Sequence, residues 1–178
     1  SSAGSTVVVT QSASNRHDDV RPSAAFLSTD SGATFDPIEG MPDNLSRPVA
    51  AITDGRIVVY GPTCGETDTE DQLACRELEG WAIQFSIDGT YISKSRAPKA
   101  WTVFHVLDRV PEGPIFETRD DDKRVLAVQF GADGTWTPIA TPEGTEALCD
   151  SPSGAVFAYA MQKPPNSAAD AAPNATAP

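Results

Sequence analysis

The sequence predicts an all-β fold of antiparallel, four-stranded sheets, and three observations carry that expectation. Segments rich in β-branched and aromatic residues are short and recur between Gly, Asp, Asn and Pro, the punctuation of strands and turns. No window keeps a 3.6-residue apolar period over a helical length, and the 15 prolines and 13 glycines interrupt helices while marking turns. The strands, finally, fall into groups of four.

Taken in order, the first strands are expected near Thr6 to Gln11, Ser23 to Thr29 and Thr34 to Ile38. A complete group follows, near Val49 to Thr53, Arg56 to Gly61, Gly80 to Ser86 and Thr90 to Ser95. A second complete group runs near Trp101 to Leu107, Pro114 to Arg119, Arg124 to Phe130 and Thr135 to Ala140. Glu146 to Cys149 and Ala155 to Met161 close the series. Residues 1–22 read as a flexible lead-in with a candidate first strand, and 23–161 as the sheet domain. Residues 162–178, rich in Pro, Ala, Asn and Ser, have too little apolar surface to order themselves and read as a disordered tail.

Three segments of the sheet domain align with one another. Ser28-Thr29-Asp30-Ser31-Gly32-Ala33-Thr34-Phe35 fits Ser-x-Asp-x-Gly-x-Thr-aromatic at every defined position. Ser86-Ile87-Asp88-Gly89-Thr90-Tyr91 and Gly131-Ala132-Asp133-Gly134-Thr135-Trp136 keep the Asp, Gly, Thr and aromatic order in a shorter form. Each follows an apolar strand. An Asp side chain accepts hydrogen bonds from backbone N–H groups of its own turn, and Gly supplies the positive φ that a tight hairpin needs. The aromatic is expected to anchor the next strand against the adjoining sheet.

This pattern resembles the Asp-box of sialidases, sortilin-type receptors and related β-propellers. The resemblance implies propeller-like blades of four antiparallel strands, with the boxes as folding devices and not as a catalytic site. Two complete blades and two incomplete ends are then counted. Joining the ends, so that the strand near Ala155 pairs with the one near Ser23, would make a third blade. Three blades are too few to surround an axis comfortably. Either a second copy of the chain completes a ring, as a homodimer, or a missing segment does, or the sheets form a partial propeller or a β-sandwich.

Composition narrows the partners. With 13 basic and 25 acidic residues the formal charge is -12, a field that repels nucleic acid and anionic membranes. No apolar run approaches the roughly 20 residues that cross a bilayer. Cys64 and Cys75 bracket an acidic loop with little means of ordering itself, and a disulfide between them is favoured over free thiols. That bridge implies an oxidising compartment, so a secreted or cell-envelope location is expected, with lipid anchoring as one form of it. Cys149 is left over, to be buried or to bridge to a partner.

The chemistry of known sites is largely absent. No metal or other cofactor is expected, because no Cys-x-x-Cys spacing exists and His17 and His105 lie far from any cysteine in sequence. Clusters such as Glu66, Asp68, Glu70 and Asp71, or Asp120, Asp121 and Asp122, sit in polar turns and read as solvated faces rather than a carboxylate dyad. The stretch from Arg47-Pro48 to Asp54-Gly55 and a β-branched strand is similar to a sialidase segment but lacks a residue between Arg and Pro. Arg47, Trp81 and Trp101 are therefore candidate ligand contacts, and no catalytic residue is assigned. The expected function is a non-catalytic binding or assembly module that presents loops to a protein or glycan. The alternative is a sialidase-like glycoside hydrolase fragment completed by another chain or domain.

Overall fold

The computed structural model describes residues 2–12, 14–16, 19–64, 78–119 and 122–160. They form sixteen strands and no helix: β1 (Ser2–Ala3), β2 (Thr6–Gln11), β3 (Ser14–Arg16), β4 (Asp19–Arg21), β5 (Ala24–Ser28), β6 (Asp36–Pro37), β7 (Val49–Thr53) and β8 (Arg56–Cys64) come first. After them come β9 (Leu78–Ser86), β10 (Tyr91–Arg96), β11 (His105–Leu107), β12 (Ile115–Arg119), β13 (Val125–Phe130), β14 (Trp136–Ile139), β15 (Ala147–Asp150) and β16 (Val156–Tyr159).

Three four-stranded antiparallel sheets form in chain order, β1-β2-β5-β6, β7-β8-β9-β10 and β11-β12-β13-β14, and the hairpin β15-β16 follows them. The small hairpin β3-β4 is an excursion between the second and third strands of the first sheet. The fold is thus all-β, a row of small meanders that is not closed into a barrel, which fits a partial propeller. The first strands of successive sheets lie side by side along the row, β1 on β7, β7 on β11 and β11 on β15.

The second sheet shows why these residues make strands. In β8, Ile57 and Val59 point to the first sheet while Val58 and Tyr60 point to the third, so the run is apolar without alternation. A strand buried on both faces reads in this way. In β9, Ile83 and Phe85 face the first sheet and Ala82 the third. Leu107, Ile115, Val125 and Ala127 then meet Leu148 of the last hairpin. Each of the three apolar clusters is shared by two consecutive sheets.

The joining of the two chain ends into one blade is corrected by the strand pairing. Ala24–Ser28 pairs with Thr6–Gln11 on one side and Asp36–Pro37 on the other, while among the described residues Val156–Tyr159 pairs only with Ala147–Asp150. The N-terminal residues complete a sheet by themselves, because β1 folds back onto β2 through a two-residue turn at Gly4 and Ser5. The C-terminal pair begins a fourth sheet position instead.

Candidate functional site

A four-stranded meander has two unlike ends. First-to-second and third-to-fourth turns lie at one end, where Asp54 and Gly55, with φ of 45° and 69°, make a two-residue turn between β7 and β8, the geometry of a type I′ hairpin. Second-to-third links and sheet-to-sheet connections gather at the opposite end. There lie the described residues 12, 14–16 and 19–23, and the segments 38–48, 97–104, 122–124 and 140–146.

The three Asp-bearing hairpins all occupy the tight end, each between the third and fourth strands of its sheet. In the first, the Asp30 carboxylate accepts from Thr34 N at 2.9 Å, Thr34 Oγ1 at 2.7 Å and Ser28 Oγ at 2.7 Å, and Ser28 Oγ accepts from Gly32 N at 2.8 Å. Asp88 accepts from Thr90 N at 3.0 Å and from Ser86 Oγ. Asp133 accepts from Thr135 N at 3.0 Å and Thr135 Oγ1 at 2.7 Å. These bonds hold all three carboxyls below the ordinary carboxylate range. For Asp30 the Thr34 amide is the largest cause, for Asp88 the Ser86 hydroxyl and for Asp133 the Thr135 hydroxyl. Gly32, Gly89 and Gly134 take φ of 90°, 88° and 83°. Every carboxylate of the repeat is thus engaged in its own turn.

A fourth hairpin of the same build was not signalled by the sequence. Ser151 N donates to Ala155 O and Gly154 N to Ser151 O, as Gly131 and Gly134 do in the third box. Ser153 stands where the boxes carry Asp, with its Oγ 2.8 Å from Ser151 Oγ. The aromatics diverge from expectation. Trp136 packs among Tyr60, Trp101, Phe116 and Phe130, with centroids 4.7–5.7 Å away. Phe35 and Tyr91 are instead 42% and 50% exposed. Tyr91 leans edge-on against Phe85.

The candidate ligand contacts all fall toward the loop end but do not converge. Arg47 is exposed, with its backbone N–H bound to Ser12 Oγ at 2.7 Å. Trp81 is half-buried and carries the Lys94 ammonium 4.0 Å above its ring. Trp101 borders a cleft of about 560 Å³ with Lys99, Ala100, Thr102, Phe104, Arg119 and Lys123. Phe104 is 62% exposed there, and the Arg119 guanidinium stands 5.7 Å from its ring. These residues come from the connection into the third sheet, from the end of β12 and from the turn after it, so no local motif announces them.

The cleft wall is tied down from below. Tyr60 Oη accepts Trp101 N–H at 2.7 Å and donates to Trp101 O at 3.1 Å, and burial raises this phenol to about 12. Thr118 Oγ1 donates to Thr102 O, and Phe104 N to Glu117 O. Among the described residues, no group of three or more His, Cys, Asp and Glu is placed to hold a metal ion. Cys64 ends β8, but Cys75 and the 65–77 loop lie outside the described residues. Cys149 is free and exposed, which removes the buried one of its two expected fates: its neighbour Leu148 takes the inward position on β15. No helix is long and apolar enough to cross a membrane.

No family model, no curated protein and no solved structure matches the chain.

Proposed function

We propose that this chain is a non-catalytic binding module of the cell exterior or envelope, which presents the loop end of a propeller-like scaffold to a protein or glycan. The observation that carries this reading is the contrast between the two ends. The carboxylates of the Asp-bearing hairpins are spent on their own turns, whereas the loop end offers an exposed aromatic ring among three cationic side chains. Exposed aromatic and cationic groups around a cleft are the features of a recognition surface. In the same proposal the three hairpins are Asp-box repeats, and Cys64 and Cys75 form the bridge of an exported protein.

The test is a glycan array together with a panel of glycosidase substrates. A bound glycan or protein whose affinity falls about tenfold or more in Phe104→Ala, as expected on loss of an aromatic anchor, and no turnover of any substrate, would support the proposal. Turnover abolished by Arg47→Ala would instead establish the glycosidase alternative.

A further inference from the structure

Among the described residues two sheet faces stay uncovered, one at each end of the row. At the last hairpin, Ala147 stands opposite Tyr159 and Cys149 opposite Phe157. That register repeats the second sheet, where Val49 stands opposite Tyr60 and Ala51 opposite Val58. Val58 and Tyr60 are 2% and 1% exposed, because the third sheet covers them. In β15 the side chain of Leu148, 5% exposed, points to the third sheet. Strand alternation turns Phe157 and Tyr159 the other way, and they stand 54% and 56% exposed with the Cys149 thiol beside them.

The opposite end of the row carries a matching half. Val8 faces the second sheet at 2% exposure, so Val9 points outward, 46% exposed and directly opposite Phe26. The chain thus presents a forward-facing aromatic surface at one end and a backward-facing apolar surface at the other. These are the two halves from which its own internal sheet contacts are made.

We propose that two copies of the chain cover these faces mutually, Phe157 and Tyr159 of each lying on Val9 and Phe26 of the other. The contact is head to tail and is made twice, which closes a ring. Each copy brings three four-stranded sheets and one hairpin, four sheet positions. Two copies bring eight, within the roughly four to eight of closed rings of this kind. This inference does not rest on the binding role of the loop end.

Sedimentation velocity over a rising concentration series tests it. The mass should double from monomer to dimer and go no further, and alkylation of Cys149, followed by mass spectrometry, should slow over the same range. Phe157→Asp and Val9→Asp change exposed positions, so both chains should fold and both should remain monomeric alone. Mixed together, they should form a one-to-one dimer, because each keeps the face that the other lacks. A wild type that stays monomeric throughout, a Val9→Asp chain that dimerises by itself, or a mass that climbs beyond two copies would each overturn the proposal.

Discussion

Removing a single oxygen tests how the loop end is held. In Tyr60→Phe the ring keeps its place between Phe116 and Trp136, but the Trp101 N–H and C=O lose the hydroxyl that binds them at 2.7 Å and 3.1 Å. Both groups are buried, and an unsatisfied buried polar group costs about 1–3 kcal/mol. The carbonyl loses only a 3.1 Å bond, so the expected loss is about 2–4 kcal/mol in total. Gly80 gives an independent check. A methyl group there would lie 2.7 Å from the same hydroxyl and 3.0 Å from Lys99 O, so Gly80→Ala should cost about 1–3 kcal/mol by overpacking. In the double variant the methyl enters space that the hydroxyl has left, and the two costs should sum to less than additivity by about 1 kcal/mol. Urea unfolding followed by tryptophan fluorescence measures all three. A Tyr60→Phe loss below about 0.5 kcal/mol, the size of an ordinary surface substitution, would refute the claim that this hydroxyl anchors Trp101 and the cleft wall.

Other consequences concern charge and covalent state. Because the folded chain holds Asp30, Asp88 and Asp133 below the ordinary carboxylate range, their contribution to stability is complete above the unfolded value, near pH 4. It is lost as pH falls from there through their folded values. Carboxyl NMR titration should find these three still ionised below pH 4, and Asp30→Asn should remove part of the acid dependence. Tyr60 behaves in the opposite sense: its raised value, about 12, contributes stability below pH 10 that is lost as pH rises from 10 to 12. Ultraviolet titration should show Tyr60 ionising well above pH 10 or only on unfolding. Thiol counting in the native, unreduced protein should give one free cysteine, Cys149, if Cys64 and Cys75 are bridged, and three if they are not. Finally, Glu117 is buried and its carboxylate accepts Leu148 N–H at 2.8 Å, with His105 Nδ1 4.0 Å away. Glu117→Leu should release the β15–β16 hairpin at a cost of about 1.5–3 kcal/mol, seen as faster amide exchange at Leu148, while Glu117→Gln, which keeps an acceptor, should cost less.

The strands were legible because their burial is two-sided. Ile57-Val58-Val59-Tyr60 and Ile83-Gln84-Phe85 leave little room for any other element, and the Asp-Gly turns beside them fix where they end. The sheet that the N-terminal residues complete was hidden by two features. Ser2–Ala3 is too short to carry a pattern, and the polar excursion through β3 and β4 separates Thr6–Gln11 from its partner Ala24–Ser28. At the candidate site only Trp101 could be singled out, since Lys99 and Phe104 meet Arg119 and Lys123 through the pairing of β11 with β12. The fourth hairpin escaped because Ser153 replaces the Asp that marks the others, although the backbone closes in the same way.

The sharing of each apolar cluster by two consecutive sheets gives the molecule a one-dimensional stability. Cohesion is local, as in a short stack of coins, and a defect at one contact weakens the neighbouring coin more than the distant one. The second sheet, gripped on both sides, holds the most securely. The terminal hairpin packs against one sheet only among the described residues, through Leu148, the Glu117 bond and the Arg109 N–H to Asp150, and is expected to open first. Unfolding therefore peels inward from that end, and anything that caps Phe157 and Tyr159 turns the least secure member of the stack into an interior one.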